Sequence, residues 1–418
     1  MKVSGIIAEY NPFHNGHAYH LAETRRQLES DYIVVVMSGN YAQRGAPAII
    51  DKYSRARMAL SCGADLVLEL PVCFSCASAE YFAFGGAAIL DKLGVVDNIC
   101  FGTETPDNAP YGSGIPVEKI SAISDLFLDE PPEYKEILKE GPKKGLSNAA
   151  ARAKAVEKIL GKEYLDILET PNNILAVEYI KALKKLKSKI EPFPVARKLT
   201  AHNDTVIKDG YSSASAIRNA VYNKYSLTSL SSTLPAEAYN ILLEQYLVSF
   251  PVFRDDFSLI FGNILLNASK AEDLSKYFSV GAELANRMFR HRNEFRSFSQ
   301  FRELIYAKNI TKATVSRAMM HIALGITQND MEAMNDADAV TAVKMLGFRK
   351  EALPLLSRIK KSGSIRLVSG LADYRPAEDT AADMIKLTTR ADYIYRLVCM
   401  NKFDADIKNP YEQGLIII

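Results

Sequence analysis

The most constraining feature of this sequence is the junction between an apolar segment and a histidine-rich segment within residues 3–20. Residues 3–8 carry the apolar side chains typical of a strand, and a turn at residues 9–13 ends it. Residues 14–23 then follow a helical pattern. A helix that starts at the carboxyl edge of a parallel sheet presents backbone N–H groups and the positive end of its dipole. The junction therefore predicts a phosphate-binding site.

The junction also concentrates the histidines of the chain. Three of the six histidines lie within residues 14–20, and His14 and His17 share one face of the first helical turn. Gly16 between them has no side chain, so a ligand can approach the backbone closely. These residues are candidates for binding an anionic ligand, and the alternative is a surface turn whose histidines have no function.

Strand and helix patterns alternate through the first half of the chain. Further apolar segments with strand character occur at residues 32–37, 65–70, 96–101 and 190–199. With helical segments between them, they predict an α/β fold with a doubly wound parallel sheet. The carboxyl ends of its strands would bring residues 9–17, 38–45 and 102–104 to one cleft.

Two later helix starts carry polar groups suited to a nucleotide. Pro171-Asn172-Asn173 opens a helix, and its asparagines either cap that helix or contact adenine or ribose hydroxyls. Ser213 and Ser215 open another, with Arg218 one turn inside it, where a guanidinium can bind phosphate oxygens in a bidentate way.

From about residue 235 the chain follows helical periodicity with few strand signals. The sequence therefore predicts an α/β domain over residues 1–225 and a mainly α-helical region over residues 226–418. Residues 281–320 contain eight lysines and arginines against three glutamates, and clustered cations of this kind bind RNA phosphates. The predicted RNA-binding residues are Arg287, Arg290, Arg292, Arg296, Arg302, Lys308, Lys312 and Arg317. The phenylalanines between them either stack on unpaired bases or form a helical core.

The overall composition excludes several classes of protein. A net charge of +2 gives no general affinity for polyanions, and no apolar run approaches the roughly 18–20 residues that span a bilayer. Because no cleavable signal pattern opens the sequence either, we expect a cytoplasmic protein without a membrane partner. The five cysteines lie in apolar segments without a matching histidine set, so buried thiols are favoured and no metal site is predicted.

The helix-start histidines and the distal serine–arginine segment resemble the HxGH motif and serine-rich loop of the nucleotidylyltransferase superfamily. A closer similarity, to the tRNA(Met) cytidine acetate ligase family, covers nearly the whole chain. The matching segments are Glu9-Tyr10-Asn11-Pro12-Phe13-His14-Asn15-Gly16-His17, Met37-Ser38-Gly39-Asn40, Gln43-Arg44-Gly45, Phe101-Gly102-Thr103-Glu104 and Pro171-Asn172-Asn173-Ile174-Leu175. The resemblance implies a Rossmann-like catalytic domain that uses ATP and acetate. Its implied product is N4-acetylcytidine at the wobble position of elongator tRNA(Met), made through an acetyl-adenylate.

The resemblance also implies an ATP site, in which either Asn172 or Asn173 contacts the nucleotide. With the serines of the distal helix start added, the expected ATP-binding residues are Ile7, Ala8, Glu9, Tyr10, Asn11, Pro12, Phe13, His14, Asn15, Gly16, His17, His20, Gly102, Asn172, Asn173, Arg197, Lys198, Ser213 and Ser215.

Acetate is already ionised at pH 7, so its reaction with ATP needs groups that hold two anions together rather than a general base. We therefore expect His14, His17 and Arg218 to be catalytic, together with Lys52, for which Arg44 is the alternative. Mg²⁺ is expected on the ATP phosphates rather than on protein ligands.

Two other interpretations remain open at this level. One is a small-molecule adenylyltransferase whose helical half serves oligomerisation. The other is an RNA-binding or scaffold protein whose nucleotide site has lost catalysis. The basic segment at residues 281–320 disfavours the first, and the intact histidines and Arg218 disfavour the second. The sequence does not indicate an oligomeric state.

Overall fold

The computed structural model describes residues 1–104, 115–197, 210–307, 310–334, 338, 340–372, 374 and 380–418. Lys198 and Lys308, which the sequence assigns to ATP and RNA binding, lie outside the described residues.

Strands and helices alternate in the first half of the described chain, and helices dominate the second. The strands are β1 (Val3–Ala8), β2 (Tyr32–Ser38), β3 (Tyr41–Ala42), β4 (Ala46–Pro47), β5 (Leu66–Leu70), β6 (Asn98–Thr103), β7 (Glu191–Ala196), β8 (Ala342–Phe348), β9 (Arg366–Val368) and β10 (Ile416–Ile417). The helices are α1 (Asn15–Leu28), α2 (Lys52–Ser61), α3 (Val72–Ser75), α4 (Ala79–Lys92), α5 (Val117–Asp129), α6 (Pro132–Lys143), α7 (Asn148–Ile159), α8 (Leu165–Glu169), α9 (Pro171–Lys185), α10 (Ala214–Tyr222), α11 (Ala236–Glu244), α12 (Ser258–Asn267), α13 (Glu272–Ser275), α14 (Ala282–Arg290), α15 (Phe298–Ile305), α16 (Lys312–Leu324), α17 (Gln328–Met334), α18 (Leu353–Ser362) and α19 (Thr380–Phe403).

The main sheet has the order β10-β8-β5-β2-β1-β6-β7. From β5 to β7 every neighbouring pair is parallel, so the predicted doubly wound parallel sheet is confirmed. From β1 the chain first adds β2 and β5 on one side and then β6 and β7 on the other. The strand order thus reverses between β1 and β6, and a crevice forms at the carboxyl ends of strands at such a switch point.

Helices cover both faces of this sheet because successive strand residues point to opposite sides. Ile33 and Val35 of β2 belong to the core beneath α1, α2 and α10. Val34 and Val36 belong to the core that includes α4 and α9 on the other face. The carboxyl edge of the sheet therefore lies between the starts of α1 and α10 on one side and of α4 and α9 on the other.

The second half of the chain is mainly helical, as predicted, but it also contributes strands that the sequence did not indicate. β8 pairs antiparallel with β5, and β9 and β10 pair with β8, so residues from both predicted domains form one sheet. Every residue of β8 is buried. β8 was missed because its only pattern is a short apolar run, which periodicity cannot distinguish from a buried helix.

Candidate active site

A cleft of about 230 Å³ lies at the carboxyl edge of the sheet where β1 and β6 meet. Most of the residues predicted to bind ATP or act in catalysis line it. They are Ile7, Ala8, Glu9, Tyr10, Asn11, His14, Gly16, His17, His20, Gly102, Asn172, Arg197, Ser213, Ser215 and Arg218. The structure thus brings together segments that are more than two hundred residues apart in the chain, as the convergence of strand ends requires.

The two motif histidines lie against each other at the start of α1. Their rings stack with centroids 3.7 Å apart. The backbone N–H of Gly16 donates to Nδ1 of His14 at 3.0 Å, and the N–H of His14 donates to Nδ1 of His17 at 3.2 Å. Because each Nδ1 accepts a hydrogen bond, the proton of each neutral ring belongs on Nε2. Both histidines thereby become fixed N–H donors in the cleft.

The electrostatics of the cleft keep these histidines uncharged. Burial, together with the positive charges of Arg197 and Arg218, lowers the pKa of His14 to about 3. Burial also lowers the pKa of His17, and it lowers that of His20 to about 4. At pH 7 the rings therefore donate hydrogen bonds as neutral imidazoles, and the positive charge of the cleft resides on the arginines.

Arg218 is held at the cleft by the loop that precedes α1. Its Nη1 donates to the backbone oxygen of Asn11 at 2.6 Å, and its Nη2 donates to Oγ of Ser215 at 3.1 Å. Ser213 caps α10 by accepting from the N–H of Ala216 at 3.0 Å. The cleft thus contains the N-termini of α1 and α10 together with a guanidinium, a combination suited to phosphates.

The neighbouring asparagines at the start of α9 have different positions. Oδ1 of Asn173 accepts from the backbone N–H of Glu104 at 2.9 Å, and this side chain is buried away from the cleft. Asn172 lines the cleft and donates to Oε1 of Glu104 at 2.5 Å. Asn172 is therefore the one placed to contact a nucleotide, and Asn173 holds the end of β6 in place.

Gly102 lies on β6, and Arg197 directly follows β7, the neighbouring strand. A Cβ on Gly102 would lie 3.1 Å from Cγ of Arg197, so the glycine leaves room for the arginine side chain. Nη1 of Arg197 lies 3.8 Å from Oε1 of Glu104. Because Asn172 donates to the same carboxylate, Arg197 and Asn172 both lie close to Glu104.

Lys52 does not lie in the cleft, contrary to its predicted catalytic role. Its ammonium group is fully buried and forms ion pairs with Glu69 at 2.5 Å and with Asp392 of α19. Asn40 links the same cluster by donating to Asp392 at 3.0 Å. Lys52 is fully buried with two carboxylates as partners, and this position is typical of a structural residue. Arg44, the alternative, does line the cleft.

Three residues of the predicted ATP loop support the cleft without lining it. Pro12 and Phe13 lie beneath the loop, where the Phe13 ring is fully buried and packs 4.8 Å from that of Tyr10. Asn15 donates to the backbone oxygens of Gly210 at 2.6 Å and Ser232 at 2.9 Å. Asn15 thereby connects the start of α1 to segments on both sides of α10.

Several lining residues were missed by sequence reasoning. They are Tyr19, Phe82, Phe101, Leu175, Tyr179, Tyr211, Ser212 and Ala214. Most are apolar or aromatic, and in sequence they cannot be distinguished from core residues. By contrast, Gln43 lines the cleft as the predicted convergence of the strand ends requires.

The predicted RNA-binding residues that the structure describes differ in their exposure and in their partners. Arg290 and Arg296 are exposed, whereas Arg287 pairs with Glu283 at 2.8 Å and Arg292 packs 3.8 Å from the Phe289 ring centroid. Lys312 pairs with Glu303 at 2.6 Å. Of the interleaved phenylalanines, Phe298 and Phe301 are fully buried and pack around Phe261 of α12, so they form a helical core.

Arg302 and Arg317 differ from the rest of the predicted RNA-binding set in their neighbours. Arg302 is bonded to Glu303 at 2.5 Å, and its charge acts on that of Arg254. Arg317 donates to the backbone oxygen of Gln43 at 3.3 Å, directly beside the cleft. A Cβ on Gly45 would lie 2.3 Å from the N atom of Arg317, so α16 packs directly on the β3–β4 hairpin. Arg317 of the basic segment therefore lies next to a residue that lines the cleft.

Metal-ligand clusters and membrane-spanning helices are both absent from the described residues. No group of three or more histidines, cysteines, aspartates or glutamates there is arranged to hold a metal ion. No helix in the same ranges has both the length and the apolar character needed to cross a bilayer. The five cysteines are free thiols, and all but Cys62 are buried.

Comparisons with known proteins extend over the whole chain. The model of the HIGH Nucleotidyl Transferase family matches residues 1–409. A tRNA(Met) cytidine acetate ligase of Acetivibrio thermocellus is 37% identical, with 100% of both chains covered. Its namesake from Clostridium novyi is 34% identical over 98% of each chain.

Solved structures give the same result. The crystal structure of apo Thermotoga maritima TmcAL is 30% identical, covers 100% of both chains and superposes with a TM-score of 0.91. The structure of the same protein bound with alpha-thio ATP is 29% identical at the same coverage, with a TM-score of 0.88.

Proposed function

The chain belongs to the tRNA(Met) cytidine acetate ligase family of HIGH nucleotidyl transferases, and we propose that its cleft activates acetate with ATP for transfer to the wobble cytidine of elongator tRNA(Met). It is an ATP-dependent ligase by this membership. The observation that carries the proposal is the pair of neutral histidine donors beside two helix N-termini and Arg218. This site is built to bind and stabilise phosphates.

The first step joins acetate to the α-phosphate of ATP. A carboxylate oxygen of acetate forms a bond to phosphorus, and the bond to the bridging oxygen breaks as pyrophosphate leaves. Negative charge builds up on the phosphate oxygens, and fixed donors that need no reorganisation stabilise it. We assign this role to His14 and His17 through Nε2, and to the guanidinium of Arg218.

The second step transfers the acetyl group. The N4 amine of cytosine attacks the acetyl carbon, the bond to the AMP oxygen breaks, and the amine loses one proton. Because the lone pair of this amine is delocalised into the ring, it is a weak nucleophile and needs an activated acyl group. A wobble base is unpaired at the tip of the anticodon loop, so it enters a pocket with less unstacking than a duplex base.

The rest of the nucleotide is assigned to the side of the cleft near β6, β7 and α9. Gly102, Asn172 and Arg197 line it there, with Ser213 and Ser215 at the phosphate end. Mg²⁺ would neutralise part of the phosphate charge, and we propose that the phosphates themselves carry it. With no membrane-spanning helix in the described chain and tRNA as substrate, a cytoplasmic location is part of the proposal.

The experiment follows the two steps separately. The protein is incubated with ATP, ¹⁴C-acetate and bulk tRNA, and the digested tRNA is analysed for labelled N4-acetylcytidine. ATP–pyrophosphate exchange is measured without tRNA, with acetate and with other carboxylic acids. We expect exchange that depends on acetate and label in acetylcytidine alone. Exchange that depends on a different acid, with no labelled nucleoside, would instead favour a small-molecule adenylyltransferase.

A further inference from the structure

Arg254 is half-buried, has no hydrogen-bond or ion-pair partner among the described residues, and is not one of the residues that line the cleft. It begins the short 3-10 helix Arg254–Phe257 that precedes α12. Among the described residues its guanidinium forms no hydrogen bond or ion pair, although it is only partly exposed. Withdrawing a charge from water without pairing it costs free energy, so an unpaired half-buried arginine indicates a ligand.

The surroundings of Arg254 are positive rather than negative. The ring of its neighbour Phe253 packs 5.3 Å from that of Tyr222, which lies one helical turn beyond Arg218 on α10. On its other side the short helix docks on α15, where the N–H of Ser299 donates to Asp255 at 2.6 Å. Arg254 therefore lies between Arg218 in the cleft and Arg302 on α15.

Arg44 and Arg218 line the cleft, and Arg254 begins the short helix that docks on α15, which carries Arg302. We call Arg44, Arg218, Arg254 and Arg302 the arginine row. Burial and the positive charges of Arg302 and Arg218 lower the pKa of Arg254 to about 10. The nearby carboxylates are already engaged: Glu303 pairs with Arg302 and Lys312, and Asp255 accepts from Ser299. A bound anion would offset both the repulsion between the arginines and the free-energy cost of burying the guanidinium charge.

The row is also rigidly connected to the motif loop. Asn11 accepts from Arg218 through its backbone oxygen and from the N–H of Ile49 through Oδ1 at 2.8 Å. The backbone oxygen of Ile49 in turn accepts from the N–H of Val252 at 2.9 Å. A short chain of hydrogen bonds thus fixes the position of the segment carrying Arg254 relative to the phosphate site.

We propose that Arg254 binds a backbone phosphate of the tRNA beside the reactive cytidine, at the mouth of the ATP cleft. This inference rests on the proposed function. The ATP phosphates already have the histidines, two helix N-termini and Arg218, whereas Arg254 lies beyond them on the helical half of the chain. A guanidinium matches a phosphate in a bidentate way, and the phosphates flanking an inserted base must pass close to the cleft mouth.

The test compares Arg254→Gln and Arg254→Lys with the matched control Arg26→Gln, whose arginine is 68% exposed and lies at the far end of α1. We expect Arg254→Gln to raise the KM for tRNA about 10-fold and to reduce the slope of log affinity against log salt by roughly 0.7–0.9. Arg254→Lys should recover part of the loss because it keeps the charge. Arg26→Gln should behave as the wild type.

ATP–pyrophosphate exchange without tRNA separates the two possible sources of phosphate. If Arg254 binds RNA, the KM for ATP in Arg254→Gln stays within twofold of the wild type. A raised KM for ATP would assign Arg254 to the ATP phosphates and overturn the proposal. An unchanged tRNA KM and salt slope would overturn it as well.

Filter binding of tRNA to the same variants, without ATP or acetate, keeps this inference distinct from the proposed function. If the wild type shows no acetate-dependent exchange, the proposed function fails, yet weaker tRNA binding by Arg254→Gln still supports the phosphate site. Removing an unpaired charge should not destabilise the fold, and thermal unfolding of each variant checks this.

Discussion

Arg218 of α10 donates a hydrogen bond of 2.6 Å from Nη1 to the backbone oxygen of Asn11 in the loop before α1, 207 residues earlier in the chain. It fixes the guanidinium at the start of α10 relative to the histidines at the start of α1. Two helix N-termini and one cation are thereby held in a fixed arrangement before any nucleotide binds.

Replacing Arg218 with lysine tests whether this fixed geometry matters beyond charge. A lysine ammonium keeps the charge but loses the planar pair of donors that reaches both Asn11 and Ser215. We expect Arg218→Lys to lower the rate of acetate-dependent ATP–pyrophosphate exchange about 10- to 100-fold. A variant with the wild-type rate would show that charge alone is sufficient.

Removing a motif histidine should slow adenylation strongly. Loss of one fixed donor to a developing oxyanion typically lowers a rate about 10²–10³-fold, so we expect this for His14→Ala and His17→Ala in the exchange assay. His17→Gln should recover part of the rate because its amide also donates. His291→Ala, which removes a half-buried histidine outside the cleft that pairs with Glu294, is the control. Loss of tRNA binding in His17→Ala would indicate a structural role instead.

The buried histidines also predict how stability depends on pH. Unfolded histidines bind a proton below about pH 6.5, whereas His14 and His20 in the fold have pKa values of about 3 and 4. Between these values the unfolded chain binds more protons, so the free energy of unfolding falls as the pH falls from 6.5 toward 4. Each histidine contributes at most about 1.4 kcal/mol per pH unit. Urea unfolding at pH 7 and pH 5 measures this change in the free energy of unfolding. We expect His20→Ala to show a smaller change than the wild type. An equal change in the two proteins would contradict the prediction.

The position of Lys52 predicts a loss of stability rather than of chemistry. Breaking its buried cluster with Glu69 and Asp392 by Lys52→Met or Asp392→Asn should cost about 3–5 kcal/mol in urea unfolding. The exposed pair between Arg57 and Glu244 is the matched control, and Arg57→Ala should cost at most about 1 kcal/mol. If Lys52→Met were as stable as the wild type but inactive in exchange, Lys52 would be catalytic after all.

Substitutions of the two asparagines of α9 should have different effects on the KM for ATP and on stability. Asn172→Ala removes a group that lines the cleft, and we expect a KM for ATP raised several-fold with little change in unfolding. Asn173→Ala leaves the N–H of Glu104 without its acceptor, and we expect a loss of about 1–3 kcal/mol in stability. Equal effects on the KM for ATP would mean that both residues contact the nucleotide.

Much of the site was predictable because local sequence determines it. The strand, turn and histidine pair at residues 3–17, and the serine–arginine start of α10, each follow from a few adjacent residues. Parallel topology then requires their convergence at one edge of the sheet. Patterns of adjacent residues such as these can be recognised from the sequence alone.

The failures share a physical cause, which is dependence on distant partners. Nothing beside Lys52 in sequence shows that Asp392 will neutralise it, and the two residues are 340 positions apart. Arg254 stands outside the basic segment and gave no signal, yet folding places it beside Arg218 and Arg302. The sequence likewise left open whether Phe298 and Phe301 stack on bases or form a helical core, and their burial in the fold favours the core.

The pairing of β8 with β5 has a consequence for how the chain is made. On the ribosome, residues 66–70 emerge long before residues 342–348, so during synthesis the sheet lacks its antiparallel neighbour and an apolar edge stays open. Lys52 likewise remains without its partner on α19 until residue 392 has been synthesised. The N-terminal half of the nascent chain therefore depends on residues translated later to cover the edge of β5. A polypeptide released at residue 225 would expose this strand edge to aggregation.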